Sequence, residues 1–209
     1  MIPLARVALA KGEVLVARRR GDGAVGYWKH GRLQTLVDTA GCSAADFIAA
    51  AVDLIAKTMP DRVLVLGYGG GVASTLLESR GLDVVSVDRD ACARGLATRF
   101  FGAPPRAQVV TADALAFVRT ADPETFGGVF VDFQDSPVTP TAYLSADFWR
   151  DVARLLRRDG AAVLNATEWL WNGQDVDLWR QAFAKGGLAL RSVSEPYRSG
   201  HRLVSLSAR

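Results

Sequence analysis

The spacing of hydrophobic residues changes character near Gly41. Before this point, apolar and polar residues alternate over short stretches such as Glu13–Arg18, and Gly-containing turns separate the stretches. Alternation with a period of two predicts half-buried strands, so we expect three or four antiparallel strands within residues 4–38. We therefore assign residues 1–41 to a small N-terminal β-hairpin region and residues 42–209 to a second, larger domain.

Helices and strands alternate through the larger domain. The apolar positions first follow a helical period from Ser43 to Pro60. Strands are then predicted at 62–67, 83–88, 107–111, 127–132, 160–166, 188–194 and 202–207, with intervening helices at 71–80, 90–101, 113–120, 145–158 and 174–185. Strands such as Val63–Leu66 are apolar throughout, which indicates a parallel sheet buried on both faces. The larger domain is therefore predicted to be a doubly wound α/β domain.

Composition and charge narrow the class of protein. The chain of 209 residues is 49% hydrophobic, which excludes a disordered protein. No apolar run approaches the roughly 20 residues that a membrane span requires, so we expect a soluble protein with no membrane partner. The formal net charge is only +3. Because the basic residues form no stripe with interleaved aromatic residues, we expect no nucleic-acid partner.

Three smaller features complete this picture. The pair Arg157-Arg158 falls at the predicted C-terminus of a helix, where cations are favourable. The two Cys and two His residues show no spacing typical of a metal site, so we expect no bound metal. The N-terminus lacks the pattern of a signal peptide, and we therefore expect a cytoplasmic protein.

Candidate ligand-binding residues lie at the predicted carboxyl ends of the strands, where ligands bind in such sheets. The first strand of the larger domain ends in Gly67-Tyr68-Gly69-Gly70-Gly71, directly before a helix. Glycines there let the backbone approach a ligand and direct helix amides at it. Asp88 ends the second strand, where a carboxylate can bind ribose hydroxyls. Asp113 follows the third strand and could bind an adenine amine or cap the next helix. Together these strand ends predict an adenosine ligand.

The glycine spacing favours one class of adenosine compound. A dinucleotide fingerprint that began at Gly67 and Gly69 would need Gly or Ala at the position that Val72 occupies. The spacing Gly67-x-Gly69-x-Gly71, followed by Asp88, better suits folds that bind S-adenosylmethionine. We therefore expect a sulfonium nucleoside rather than a dinucleotide.

The fourth strand leads into Asp132-Phe133-Gln134-Asp135. Two carboxylates on such a loop could hold a cationic amine and accept its proton, which an ammonium must lose before it can attack carbon. We predict that Asp132, at the strand end, is the catalytic carboxylate and that Asp135 assists; alternatively, one caps the turn and the other is solvated. Trp169, after the fifth strand, could line the acceptor pocket or pack in the core. The acids at these strand ends predict a negative pocket.

Several segments of the chain, taken in their order along the sequence, resemble those of the spermidine synthase family of polyamine aminopropyltransferases. The resemblance extends over almost the whole chain. The similar segments are His30-Gly31-Arg32-Leu33-Gln34-Thr35, Val63 to Gly71, Val87-Asp88-Arg89-Asp90, Asp113, Asp132 to Pro137, Phe148-Trp149 and Tyr197-Arg198-Ser199-Gly200. The resemblance implies that the thionucleoside is held by Gln34, Asp88 and Asp113. It implies that Asp132, Asp135 and Tyr197 handle the amine acceptor.

The resemblance also implies a fold and a reaction. The fold would be a Rossmann-like, class I S-adenosylmethionine-methyltransferase-like doubly wound sheet with a small N-terminal antiparallel β appendage. The reaction would move an aminopropyl group from decarboxylated S-adenosylmethionine to a cationic small-molecule amine, with methylthioadenosine leaving, as in polyamine biosynthesis. Members of the family tend to dimerise, so a homodimer is expected.

Two departures from the family pattern leave the donor open. Gly70 stands where the family carries an Asp that binds the terminal amine of decarboxylated S-adenosylmethionine and would repel the carboxylate of intact S-adenosylmethionine. The acid-rich segment that follows Gln34 in the family is replaced by Thr39 to Ser43. The alternatives are therefore methyl or aminocarboxypropyl transfer from intact S-adenosylmethionine, or a non-catalytic nucleoside-binding protein. Against an ordinary methyltransferase, Val65 occupies the position of an expected acid.

Overall fold

The N-terminal part of the chain forms an antiparallel sheet. The structure is a computed structural model and describes residues 1–10, 12–133, 141–167 and 176–208. Four strands follow one another in the order β1-β2-β3-β4, and each is hydrogen-bonded to the next. They are β1 (Ile2–Ala8), β2 (Glu13–Arg18), β3 (Val25–Lys29) and β4 (Arg32–Val37). This sheet confirms the predicted antiparallel β appendage.

A seven-stranded sheet forms the centre of the rest of the chain. Its strands are β5 (Arg62–Leu66), β6 (Asp83–Asp88), β7 (Gln108–Thr111), β8 (Phe126–Val131), β9 (Leu156–Thr167), β10 (Leu188–Val193) and β11 (His201–Ala208). Their spatial order is β10-β11-β9-β8-β5-β6-β7. Strands β5 to β9 run parallel, whereas β11 is antiparallel to both β9 and β10. The chain order reverses between β5 and β8, which creates a switch point there.

Helices cover both faces of this sheet. They are α1 (Asp46–Ala56), α2 (Val72–Ser79), α3 (Ala93–Phe100), α4 (Ala114–Thr120), α5 (Ala146–Leu155) and α6 (Val176–Lys185), with a short 3-10 helix at Thr141–Leu144. Successive side chains of a strand point to opposite faces. Val63 and Val65 therefore pack with α1 and α2, whereas Leu64 and Leu66 pack with α5 and α6. The predicted doubly wound α/β fold is confirmed.

The N-terminal sheet packs onto α3 and the start of α2. Val14, Val16 and Tyr27 belong to one buried cluster with Leu96 and Phe101. The chain just before α1 folds back onto the end of β4, through the Val37–Ser43 bridge and the hydrogen bond from the Ala44 N–H to the Leu36 carbonyl. The sheet thereby comes to lie beside the carboxyl ends of β5 and β6.

One predicted helix is too long at its C-terminal end. Helix α5 stops at Leu155, and Leu156 begins β9 by pairing with Phe126. The pair Arg157-Arg158 therefore lies on a strand rather than at a helix C-terminus, and the Arg157 guanidinium forms an ion pair with Asp61. The prediction was wrong because the helical spacing of apolar residues continues through Leu156, although this residue pairs with Phe126 in the sheet. Within the described ranges, no helix is long and apolar enough to cross a membrane.

Candidate functional site

A cavity of about 850 Å³ lies between the N-terminal sheet and the carboxyl ends of the central strands. This volume is in the range of pockets that hold small ligands. The cavity sits at the switch point between β5 and β8. Its wall includes Gln34, Thr35, Phe47, Gly67, Gly69, Asp88, Asp113, Asp132, Asn165 and His201. The structure therefore brings most of the sequence-predicted site residues to one place.

The glycine-rich loop connects β5 to α2. Gly67 and Gly69 line the cavity, whereas the neighbouring Gly70 and Gly71 are not among the lining residues. Gly67 has a φ of +99°, and a Cβ atom added there would lie 2.6 Å from the carbonyl oxygen of Asp132. The absence of a side chain at Gly67 is thus required by contact with the end of β8. This contact places Asp132 directly beside the loop.

Asp88 holds the loop in position through its carboxylate. Its Oδ2 atom accepts hydrogen bonds from the N–H groups of Tyr68 and Gly69, both at 3.0 Å. Its Oδ1 atom accepts from the N–H of Asp90 at 2.9 Å. The two bonds to Oδ2 use both of its lone pairs, whereas Oδ1 keeps one lone pair with which Asp88 can accept a ribose hydroxyl. The predicted ribose contact is compatible with this geometry and stays a prediction.

Asp113 caps the next helix. Its Oδ1 atom accepts a hydrogen bond from the N–H of Ala116 at 3.0 Å, which is the N-cap arrangement of α4. The capping alternative for Asp113 is therefore observed. Because Asp113 also lines the cavity, an additional contact with adenine stays a prediction.

Thr35 is a site residue that the sequence did not single out. Its hydroxyl accepts a hydrogen bond from the N–H of Gly70 at 3.1 Å, across the gap between β4 and the glycine-rich loop. A Cβ atom added at Gly70 would lie 2.7 Å from Thr35 Cγ2. Thr35 therefore occupies the space into which a side chain at position 70 would project. Its neighbour Gln34 is exposed and lines the cavity.

The cavity wall carries both signs of charge. The acids that line it are Asp88, Asp90, Asp113 and Asp132, and the cations are Lys29, Arg32 and Arg89. The Lys29 ammonium lies 2.8 Å from the Asp90 carboxylate, and both side chains are only 10% exposed. The predicted negative pocket therefore stays a prediction, because cations also line the cavity. The acids come from the strand ends as predicted, but the N-terminal sheet and the end of β6 add cations.

Asp132 occupies the floor of the cavity, just after β8. Its backbone N–H donates to the carbonyl of Leu66 at 2.8 Å, and its Oδ1 atom accepts a hydrogen bond from Asn165 Nδ2 at 2.6 Å. Burial raises the pKa of the Asp132 carboxyl from its ordinary value of 3.8 to about 7, and the Asn165 hydrogen bond only partly opposes this. A carboxyl with such a pKa is suited to exchange a proton near neutral pH.

Asn165 and His201 were missed as parts of this site. Asn165 Oδ1 lies 2.7 Å from His201 Nδ1, so the two side chains extend the hydrogen-bonded group that begins at Asp132. The His201 ring stacks on Phe47 with 4.4 Å between ring centroids. Their position at the end of β9 and the start of β11 was the available signal, because both ends reach the same edge of the sheet.

The remaining predicted residues are placed differently. Tyr197 packs edge-on against Phe47, with ring centroids 6.5 Å apart, and is not among the residues that line the cavity. Its role toward an amine stays a prediction. Asp135 and Trp169 lie outside the described residues. Among the residues that are described, no group of three or more His, Cys, Asp or Glu could hold a metal ion.

Comparison with known proteins gives modest sequence matches. No family model matches the chain. Spermidine synthase 2 from Arabidopsis thaliana is 29% identical over 126 residues, which cover 56% of this chain and 36% of that protein. The chain thus spans little more than a third of the length of the curated relative that it matches.

Solved structures match over nearly the whole chain. A probable spermidine synthase from Corynebacterium glutamicum has a TM-score of 0.76 at 15% identity and covers 98% of this chain and 79% of its own. A spermidine synthase in complex with the transition-state analogue AdoDATO has a TM-score of 0.73 at 15% identity. The match covers 99% of this chain and 73% of the chain of that protein.

A methyltransferase shares part of the same fold. The TehB-like S-adenosylmethionine-dependent methyltransferase from Corynebacterium glutamicum has a TM-score of 0.55 at 19% identity and covers 78% of this chain and 93% of its own. The predicted class I methyltransferase-like fold is therefore confirmed. The sequence match to a spermidine synthase and the near-complete match to the fold of others together confirm the predicted resemblance of this chain to the spermidine synthase family.

Proposed function

We propose that this protein is a transferase that moves an aminopropyl group from decarboxylated S-adenosylmethionine to a small-molecule amine. The observation that carries the proposal is the position of Asp132, whose half-buried carboxyl lines the cavity and whose backbone carbonyl lies beside Gly67 of the glycine-rich loop. A proton acceptor thus lies beside the loop that would bind the donor. The AdoDATO complex of a protein with the same fold supports a donor of this type.

Asp132 would act as the proton acceptor. It takes a proton from the bound ammonium group, which frees the nitrogen lone pair. The nitrogen then attacks the carbon next to the sulfonium, and the electrons of the C–S bond pass to sulfur. The thioether leaves as methylthioadenosine. Most of the rate enhancement would come from holding the amine and the donor in line.

The other predicted residues divide between the two substrates. Gln34, Asp88 and Asp113 would hold the nucleoside together with the backbone of the glycine-rich loop. Asp135, Tyr197 and Trp169 would contact the amine. We further propose that the protein acts in polyamine biosynthesis, as a cytoplasmic homodimer, without a metal and without a nucleic-acid or membrane partner.

A product assay tests this proposal directly. The protein is incubated with decarboxylated S-adenosylmethionine and putrescine or a longer polyamine, and methylthioadenosine and the alkylated amine are quantified by chromatography and mass spectrometry. We expect both products in equal amounts. The absence of both products with every amine tested would refute aminopropyl transfer.

Intact S-adenosylmethionine is the second candidate donor, and the contact between Gly70 and Thr35 favours it. Among the described residues, no acid occupies the space beside Gly70, and Thr35 fills it instead. The carboxylate of intact S-adenosylmethionine would meet no repulsion from this position. The reaction would then be methyl or aminocarboxypropyl transfer, and the same assay with intact donor distinguishes it by the mass of the product.

Changing this contact should change the choice of donor. In the double variant Gly70→Asp with Thr35→Ala, the second substitution removes Cγ2, the nearest atom to the new side chain. We expect the ratio of Kd for intact to decarboxylated donor to rise about tenfold or more, because like charges would face each other. Titration calorimetry with both donors measures this ratio, and Thr35→Ala alone is the control. An unchanged ratio would mean that position 70 does not face the donor's terminal group.

A further inference from the structure

Asn165 joins Asp132 to His201 with a defined direction of hydrogen bonding. A carboxylate accepts hydrogen bonds, so the group that faces Asp132 Oδ1 at 2.6 Å is the Asn165 amide nitrogen. The Asn165 carbonyl oxygen therefore faces His201 Nδ1 at 2.7 Å. That oxygen can only accept, so Nδ1 carries the hydrogen. In the neutral ring, Nε2 is then the atom with the free lone pair.

The His201 ring is held firmly at the edge of the cavity. It stacks on Phe47 with an angle of 17° between the ring planes, and its backbone carbonyl accepts from the N–H of Tyr197 at 2.8 Å. His201 lines the cavity together with Asp132 and Asn165. Within the described part of the chain, Nε2 has no hydrogen-bond partner. A fixed acceptor therefore lies on the same wall as the carboxylate.

The surroundings of His201 favour the neutral ring. Two carboxyl groups lie near it, Asp46 on α1 and Asp132 across Asn165. The Asp46 carboxylate is engaged by the N–H of Arg198 and the hydroxyl of Ser199. Burial lowers the pKa of the His201 imidazole, and the charge of Asp46 only partly opposes this effect. The free lone pair on Nε2 is thus present at neutral pH.

We propose that His201 Nε2 accepts a hydrogen bond from the amine substrate and holds the attacking nitrogen next to Asp132. This inference rests on the proposed transfer to an amine. An ammonium group has more than one N–H to donate. Asp132 takes one proton and becomes a neutral acid, while His201 binds an N–H that remains on nitrogen and takes no proton itself. The freed lone pair forms the C–N bond as the C–S electrons pass to sulfur.

Two substitutions separate this role from a structural one. In His201→Asn, the side-chain amide can replace Nδ1 as the donor to Asn165, but no acceptor reaches the position of Nε2. In His201→Gln, the longer side chain places an acceptor near that position and loses the Nδ1 group. We expect kcat/KM for putrescine to fall about 10- to 100-fold in His201→Asn and to be largely restored in His201→Gln, with the KM for the donor unchanged in both. Equal losses, or a larger loss in His201→Gln, would overturn the inference.

Nitrogen NMR provides a readout that does not need turnover. The chain has two His residues, so ¹⁵N-histidine labelling gives two ring systems, which His201→Asn assigns. We expect His201 Nε2 to be unprotonated at pH 7 and its resonance to shift on saturation with putrescine. A protonated Nε2, or no shift with bound putrescine, would overturn the inference even if transfer occurs. If wild-type protein binds putrescine with this shift but transfers nothing, the proposed function fails and the His201 contact stands.

Discussion

Replacing Asp132 with Asn is expected to lower the rate of transfer by about two to four orders of magnitude. The amide cannot accept the proton of the ammonium group. It can still accept the hydrogen bond from Asn165 through its own oxygen, so the cavity floor should keep its shape. Steady-state assays with saturating donor and amine measure the effect on kcat. Circular dichroism and donor binding check that the variant is folded.

The same variant has a predicted effect on stability. The pKa of Asp132 is about 7 in the folded protein and returns to its ordinary value near 3.8 on unfolding. The folded state therefore binds this proton more tightly, and its stability falls as the pH rises from about 4 to about 7. Asp132→Asn is free of this penalty. We expect it to be more stable than wild type at pH 8, by on the order of 4 kcal/mol, and closer to wild type at pH 4 to 5.

The pH dependence of the wild-type rate and a control variant complete this test. Because Asp132 must be ionised to accept a proton, kcat/KM for the amine should rise as the pH passes through about 7. Asp147→Asn removes a carboxylate that is 80% exposed and pairs with Arg150 on the surface, and it should change kcat by less than about twofold. If Asp132→Asn retained wild-type kcat, Asp132 would not be the proton acceptor.

Replacing Gly67 with Ala is expected to destabilise the protein by about 3 kcal/mol or more. Its φ of +99° is strained for alanine, and the added methyl group would lie 2.6 Å from the Asp132 carbonyl oxygen and 2.9 Å from Phe133 Cα. These neighbours are backbone atoms, so they can give way only if the end of β8 moves. Thermal unfolding should show a Tm lower by roughly 6 to 12 °C for a chain of this length.

Gly69→Ala is the matched control for this prediction. Gly69 also has a positive φ, of +52°, but that value lies in the left-handed region that alanine reaches at a cost of about 1 to 2 kcal/mol. The nearest atom to an added Cβ is Thr35 Oγ1 at 3.4 Å, an ordinary contact. We expect a smaller loss of Tm than for Gly67→Ala. Equal losses in both variants would show that contact with β8 does not decide the need for glycine at position 67.

The ends of the buried strands could be predicted from the sequence. The apolar runs of β5 to β8 each end at or soon before a Gly or Asp residue that breaks the run. Parallel strands bring those ends to one edge, so Gly67, Asp88, Asp113 and Asp132 were identified together. The end of α5 could not be predicted in the same way. Leu155 and Leu156 continue an amphipathic helical pattern, but pairing of Leu156 with Phe126 starts the strand there. Local periodicity cannot reveal such long-range competition.

The unpredicted part of the site consists of contacts between distant segments. Thr35 and Gly70 are 35 residues apart, and Asn165 and His201 are 36 residues apart. Neither pair belongs to a spacing pattern. The cations of the cavity were missed for a related reason: Lys29 reaches the site only because the N-terminal sheet packs onto α3. Its position depends on that packing, and nothing around residue 29 in the sequence indicates it.

The N-terminal sheet contacts the glycine-rich loop and the end of β6 through polar side chains, Thr35 to Gly70 and Lys29 to Asp90. The same sheet also packs on α3 through apolar side chains, so a replacement of the segment before α1 would have to keep these contacts. Grafting the corresponding hairpins of a relative onto α3 would exchange the residues that face Gly70 while every residue of the glycine-rich loop stays as it is. A library of such chimeras could diversify the donor preference without mutating the loop itself.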